Sequence, residues 1–242
     1  MSASLSVPSP LARRVALAAV LAVLTGCATP PKAVPPPAGH VPVLLVHGID
    51  DSPAAFQPMR ERLHEAGWQV EQVAAVRLTP NNGQLPIEAL ATQVARAAEG
   101  LRRRTGAERI DVVAFSMGAL ISRYWLQEVG GHQKVRRFVS ISGPHHGTLL
   151  AHIRREPAIL QMRPGSELLR RLERRANPFG DTELYTFWTP LDVTVYPAES
   201  ARLPGATERT FPVLLHPLML SHPGVLDAVV ETLSVSGRTE TP

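Results

Sequence analysis

Apolar runs of strand length alternate with stretches of helical periodicity along most of the chain. The apolar runs lie at residues 42–46, 70–76, 110–115, 135–142, 184–188 and 211–215. Helical patterns occupy residues 53–66, 86–105, 117–129 and 223–235. Pro53 and Pro223 open the first and last of these patterns, where the missing N–H of proline costs little. Strands that alternate with helices form a mostly parallel sheet covered by helices on both faces. The pattern therefore predicts an α/β fold with about six strands.

One segment interrupts this alternation. Residues 147–181 lie between two predicted strands and carry apolar pairs such as Leu149-Leu150. The segment also contains seven arginines: Arg154, Arg155, Arg163, Arg170, Arg171, Arg174 and Arg175. It is either a helical segment with a solvated basic face or an insert that caps a site, and the sequence leaves both open.

The first 40 residues have the features of an export signal. Arg13 and Arg14 precede the apolar run VALAAVLAVL, which ends at Leu24-Thr25-Gly26-Cys27. A basic region, a short apolar run and small residues are typical of a secretory signal, and the run is shorter than the ~20 residues that span a membrane. LTGC resembles the lipobox of bacterial lipoproteins, whose cysteine is lipidated and becomes the N-terminus. We therefore expect residues 1–26 to be removed and Cys27 to carry a lipid.

The lipobox resemblance also suggests a location in the cell envelope. Ala28 follows the cysteine where an aspartate would imply retention at the inner membrane, so the resemblance implies the outer membrane. The proline-rich residues 27–40 predict a semi-rigid tether, and residues 41–242 predict one globular domain. Removing two arginines with the signal lowers the formal charge from +4 to +2, which is too weak to indicate a nucleic-acid partner.

A serine stands where the third apolar run meets a helical pattern. Residues 111–126 read DVVAFSMGALISRYWL. A sharp turn from strand to helix exposes its central side chain and directs backbone N–H groups of the helix to the same point. Ala114 and Gly118 are small, as such a turn requires, although the first of these positions is usually glycine. We interpret Ser116 as a nucleophile; the alternative is a serine that only caps the helix.

The end of the first predicted strand supplies a second feature. The run PVLLVHGIDDSP places His47-Gly48-Ile49 directly after that strand. Acyl transfer needs two hydrogen-bond donors for the oxyanion, and the backbone N–H groups of Ile49 and Met117 are the candidates. We interpret His47 as a structural histidine that shapes the loop, with a role as general base as the alternative.

Three motifs together resemble a known family. HGI at residues 47–49, AFSMG at 114–118 and SGPHHGT at 142–148 make the sequence similar to the bacterial lipases and esterases of the α/β-hydrolase superfamily. The resemblance spans residues 41–233 and implies the α/β-hydrolase fold. In this family the serine is followed along the chain by an acid and then a histidine. Asp192, after the run 184–188, and His216, after the run 211–215, match those positions.

Other histidines and acids compete for these roles. His222 lies six residues after His216 and can end the same loop, but we expect His222-Pro223 to open the last helix. Asp181 and Glu183 precede their strand rather than follow it, and Asp227 lies within a helical pattern, so Asp192 is the best candidate for the acid.

No metal or cofactor motif is visible. The adjacent pair His145-His146 lacks the i, i+4 spacing of a zinc-binding helix, and the resemblance marks it as part of a structural loop. There is no glycine-rich phosphate loop either. We therefore expect no cofactor.

The family resemblance implies a serine hydrolase that cleaves carboxylic esters through Ser116, His216 and Asp192. Two other functions stay open: acyl transfer to an envelope lipid with the same residues, and a hydrolase-fold lipoprotein without turnover. We expect a monomer whose partners are an ester or lipid substrate and the membrane that holds its anchor.

Overall fold

The computed structural model describes residues 40–174 and 178–234. Within them, six strands form one sheet: β1 (Val43–Val46), β2 (Val73–Ala75), β3 (Ile110–Phe115), β4 (Val135–Ile141), β5 (Glu183–Trp188) and β6 (Thr207–Thr210). Their order is β2-β1-β3-β4-β5-β6, and all neighbouring strands are parallel. The predicted α/β fold is therefore confirmed. The predictions for the signal, Cys27 and the tether up to residue 39 lie outside the described residues.

The described residues form six α-helices: α1 (Gln57–Glu65), α2 (Ile87–Thr105), α3 (Met117–Glu128), α4 (Pro157–Gln161), α5 (Glu167–Glu173) and α6 (Pro223–Ser234). Four of the six lie where the helical patterns predicted them, and the other two, α4 and α5, lie in the arginine-rich segment. A turn of 3-10 helix, Pro53–Phe56, leads into α1 and is capped by the hydroxyl of Ser52, which accepts from the N–H of Ala54. No helix in these parts of the chain is long and apolar enough to cross a bilayer.

Side chains that alternate along the strands build two apolar layers. Leu44 and Val46 of β1 pack in one cluster with residues of α2 and α3. Val43 and Leu45, on the opposite face of the same strand, pack with residues of α1 and α6. Because successive strand residues point to opposite faces, both faces of the sheet are buried under helices, as predicted.

The prediction for the last strand was wrong. The apolar run 211–215 is an irregular segment, and β6 is the polar stretch Thr207–Thr210 that precedes it. β6 lies at the edge of the sheet and pairs with β5 alone. Its side chains are mostly exposed, so the strand is formed by backbone hydrogen bonds to β5 and shows no apolar pattern in the sequence. Within the apolar run, Val213 is buried in the core while Leu214 and Leu215 are exposed.

The arginine-rich segment packs onto the domain. After a 3-10 turn at Leu149–His152 come the short helices α4 and α5. Their apolar residues, among them Ile159, Leu168 and Leu172, are buried in the same cluster as α2 and α3. Arg154 binds the carboxylates of Asp50 and Glu156 and thereby ties the segment to the loop after β1.

Candidate active site

The candidate residues meet at the carboxyl end of the sheet. β1 and β3 are neighbours, while the strand that follows β1 in sequence, β2, lies on its other side. The loops after β1 and β3 therefore diverge and leave a crevice between them, the usual ligand site of open parallel sheets. Ser116 follows β3, and His47 follows β1.

Ser116 occupies a sharp turn between β3 and α3. Its backbone has φ +55° and ψ −128°, a strained conformation that costs a non-glycine residue about 1–3 kcal/mol. Its N–H donates to the carbonyl of Ile141 at 2.9 Å, and its side chain does not cap α3. The capping interpretation is therefore wrong. Non-glycine residues strained in this way cluster at active sites and ligand-binding turns.

Glycines at two positions let the loop after β1 pack closely against the serine turn and the start of α3. A Cβ on Gly118 would lie 2.4 Å from the carbonyl oxygen of His47, and one on Gly48 would lie 3.1 Å from Cβ of Ser116. Ala114 is buried within β3, paired with Val46 of β1, and its φ is not positive. β3 thus accommodates the methyl group of Ala114 at the position where the usual G-x-S-x-G motif has its first glycine.

Asp192 and His216 form a buried pair. Asp192 lies in the loop after β5, and His216 begins the 3-10 turn His216–Leu220. Nδ1 of His216 lies 2.7 Å from Oδ2 of Asp192. The other carboxylate oxygen accepts the backbone N–H groups of Thr194 and Val195, each at 2.9 Å. The carboxylate is therefore fixed in position on both oxygens.

The environment of Asp192 favours its charged form. Burial is the largest influence and raises the pKa, but the hydrogen bond and charge of His216 and the two backbone donors outweigh it. The pKa of Asp192 thus lies below its ordinary value, and the carboxylate is ionised at neutral pH. An ionised Asp192 accepts a hydrogen bond from the Nδ1–H of His216, which leaves Nε2 as the ring nitrogen that can accept a proton.

His216 is directed towards the serine turn. Its ring packs on Phe115, the residue before Ser116, with ring centroids 4.6 Å apart. Nε2 is buried and has no hydrogen-bond partner among the described residues. This nitrogen is free to receive a proton.

The competing histidine is placed elsewhere. His222 directly precedes α6, as predicted, and its ring contacts Phe211 at 6.3 Å between centroids. His216 does not follow directly from a strand, contrary to prediction, because β6 ends at Thr210. The turn that it opens nevertheless brings it to Asp192.

The backbone N–H groups of Ile49 and Met117 are the candidate oxyanion donors. In the described parts of the chain, neither the N–H of Ile49 nor that of Met117 donates to an acceptor. Ile49 directly follows Gly48, whose backbone closely approaches Ser116, and Met117 is the first residue of α3. Two free donors beside a nucleophile are what an oxyanion hole requires.

Asn81 holds the loop that carries Ile49, and sequence reasoning missed it. Its Nδ2 donates to the carbonyls of Gly48 at 3.2 Å and Asp51 at 2.6 Å. Its own carbonyl accepts the N–H of Asp50 at 3.1 Å. The pair Asn81-Asn82 before a glycine indicates only a turn, so no local signal marks this role.

His47 contributes to the same loop in a fixed tautomer. Its Nε2 accepts the N–H of Leu78 at 3.3 Å, so the proton lies on Nδ1, which donates to the carbonyl of Gly48 at 2.9 Å. Burial is the main cause that lowers the pKa of His47, which favours this neutral form. With both ring nitrogens bound to backbone, His47 has the structural role that the sequence indicated.

The GPHHGT loop is also built on a buried histidine. Nε2 of His145 lies 2.8 Å from Oγ of Ser140, and burial, with the charge of Arg123, holds the pKa of His145 well below its usual range. His146 is exposed and pairs with Glu173. In residues 40–174 and 178–234, no cluster of three or more possible metal ligands occurs.

Solved structures share this architecture. The mature form of Bacillus licheniformis lipase BlEst2 superposes with a TM-score of 0.70 at 17% identity, over 84% of this chain and 96% of that one. Aspergillus fumigatus lipase B gives a TM-score of 0.73 at 20% identity, over 87% and 57%. The α/β-hydrolase fold implied by the sequence is therefore confirmed.

Sequence comparison places the chain in a family. It is 32% identical over 115 residues to a triacylglycerol lipase of Pseudomonas fragi, a match that covers 46% of this chain and 36% of the relative. The matched region thus spans about a third of that lipase. The family model for palmitoyl protein thioesterase matches residues 42–176, more than half of the chain. The chain belongs to the palmitoyl protein thioesterase family, among the lipases and esterases of the α/β-hydrolase superfamily.

Proposed function

We propose that this protein is a serine hydrolase that cleaves carboxylic esters with apolar acyl chains. One observation carries the proposal: His216 binds the ionised Asp192 through Nδ1, leaves Nε2 without a partner among the described residues, and packs its ring on Phe115, the residue before Ser116. An activated nucleophile requires this arrangement of serine, base and orienting acid.

In the proposed mechanism, Oγ of Ser116 attacks the ester carbonyl while Nε2 of His216 takes its proton. The N–H groups of Ile49 and Met117 bind the oxyanion that forms. The intermediate collapses when His216 returns the proton to the leaving alkoxide. Water, activated by the same ring, then releases the acyl group from Ser116. Asp192 keeps the imidazole in one tautomer and stabilises its charged form.

The surface around the site favours an apolar substrate. Nine of the twelve large hydrophobic residues exposed in the described chain lie in three loops that follow β4, β5 and β6. They are Leu149, Leu150, Ile153, Leu191, Val193, Tyr196, Leu214, Leu215 and Leu218. Asp192 and His216 belong to two of these loops. A concentration of exposed apolar side chains marks a binding surface, and here it suits an acyl chain or a lipid.

A chain-length series tests the substrate class. Nitrophenyl esters from acetate to dodecanoate, with an octanoyl thioester for comparison, are assayed on the purified full chain. We expect kcat/KM to rise with chain length, because each buried CH₂ adds about 0.8 kcal/mol of favourable transfer free energy. Hydrolysis of acetate alone, or of no member of the series, would contradict the proposed substrate class.

We also propose that Cys27 carries a lipid that anchors the protein to the outer membrane. The motif LTGC after a short apolar run and the proline-rich residues that follow support this. Cys27→Ser is expected to move the protein from the membrane fraction to the soluble one, measured by fractionation and immunoblotting. If the variant sediments with the outer membrane as wild type does, the anchor lies elsewhere.

A further inference from the structure

A second pocket lies along α3, away from the serine turn. It has a volume of about 300 Å³, at the small end of the range for ligand sites. Its apolar walls include Leu172, Phe179 and Leu203. Arg123 and Gln127 of α3 also line it. Arg123 stands seven residues after Ser116, which corresponds to about 10 Å along the helix axis.

Arg123 is a buried cation without a carboxylate in contact. Its side chain is 3% exposed. Nε donates to Oε1 of Gln127 at 3.1 Å, and Nη1 donates to the carbonyl of His145 at 2.7 Å. Both acceptors are neutral, and Arg123 has no salt bridge with any described residue. Buried charges are normally paired, whereas among the described residues no carboxylate is in direct contact with this guanidinium.

Glu173 is the carboxylate that lines the same pocket as Arg123. It belongs to α5 and binds Nδ1 of His146 at 3.1 Å. Burial lowers the pKa of Arg123 to about 10, and the charge of Glu173 opposes that shift. The guanidinium therefore remains charged at neutral pH.

We propose that this pocket binds a carboxylate with an apolar body, with the anion on Arg123 and the chain against Leu172, Phe179 and Leu203. The planar guanidinium matches the geometry of a carboxylate, and the apolar walls favour a ligand with an apolar body over a small inorganic ion such as phosphate. The site is separate from the proposed active site. The kind of ligand is inferred from the pocket itself. Its origin rests on the proposed function, because ester hydrolysis releases carboxylates of this class.

Octanoate is the probe for the test. Binding is measured by titration calorimetry on the full chain carrying Ser116→Ala, so that turnover plays no part. Octanamide and inorganic phosphate are the comparison ligands. We expect saturable binding of octanoate that depends on Arg123, and at least roughly tenfold weaker binding of octanamide, which lacks the charge. Phosphate that binds as tightly as octanoate would overturn the assignment of an apolar carboxylate.

Variants locate the site. Arg123→Gln is expected to weaken octanoate binding at least roughly tenfold. Because Arg123 is buried and the variant can misfold, an exposed residue provides a second test. Glu173→Gln removes the negative charge on the pocket wall and is expected to tighten binding about threefold. Glu167→Gln makes the same charge change on the same helix outside this pocket and is expected to have no effect.

The binding experiments test the carboxylate site independently of the proposed hydrolase activity. No octanoate binding, or binding that neither Arg123→Gln nor Glu173→Gln changes, would overturn the proposed site. Equal effects of Glu173→Gln and Glu167→Gln would also overturn it, because they would show only a general charge effect. Ester hydrolysis by the wild type is measured separately, so either proposal can be refuted without affecting the other.

Discussion

Replacing Ser116 with alanine is expected to lower kcat/KM for a nitrophenyl octanoate ester by roughly 10⁴-fold or more. The variant lacks the oxygen that attacks the ester carbonyl in the first step of the proposed mechanism. His216 and the two oxyanion donors remain, but they can assist only a water molecule. Steady-state kinetics on the purified full chain measure the loss.

The fold of Ser116→Ala is expected to stay intact. Oγ of Ser116 does not cap α3, so its removal leaves no backbone group of the helix unpaired. We expect a change in stability within about 0.5 kcal/mol, checked by thermal unfolding. Turnover that persists in a preparation free of other esterases would exclude Ser116 as the nucleophile.

His216→Ala is expected to be nearly as damaging as Ser116→Ala, because the two side chains act as a unit. Without the imidazole, the serine hydroxyl keeps its proton and the leaving group receives none. Asp192→Asn is expected to lose activity as well, since the amide cannot hold the same imidazole tautomer. All three variants are compared by kcat/KM, with circular dichroism as the check on folding.

His222→Ala is the matched control for the choice of base. His222 is a histidine six residues away that contacts Phe211 rather than Asp192. Its removal is expected to change kcat/KM far less than that of His216. An inactive His222→Ala beside an active His216→Ala would reverse the assignment and remove the argument for Asp192 with it.

The sheet and its serine turn could be predicted because their signals are local. β1 is a continuous apolar run and β3 is interrupted only by Asp111, and Ser116 is bracketed by the small residues Ala114 and Gly118 that its turn demands. The edge strand β6 carries no such pattern, since Thr207–Thr210 is polar and pairs on one side only. The apolar run after it was misinterpreted because Val213 is buried in the core outside any strand.

Contacts distant in sequence could not be predicted. Asn81 binds the loop after β1 across about 30 residues, and Arg154 reaches Asp50 across 104. Neither residue belongs to a recognisable motif. Asp192 and His216 were found through the order of residues in a family, not through periodicity, and their meeting depends on two irregular loops.

Labelling with a fluorophosphonate tests the central claim most directly, because only an activated serine attacks this phosphorus. The full chain is treated with the probe, digested and mapped by mass spectrometry. We predict one adduct, on the peptide that contains Ser116, which is absent in Ser116→Ala and forms much more slowly in His216→Ala. A wild-type protein that remains unlabelled, or an adduct on another serine such as Ser142, would contradict the assignment of Ser116 as the nucleophile.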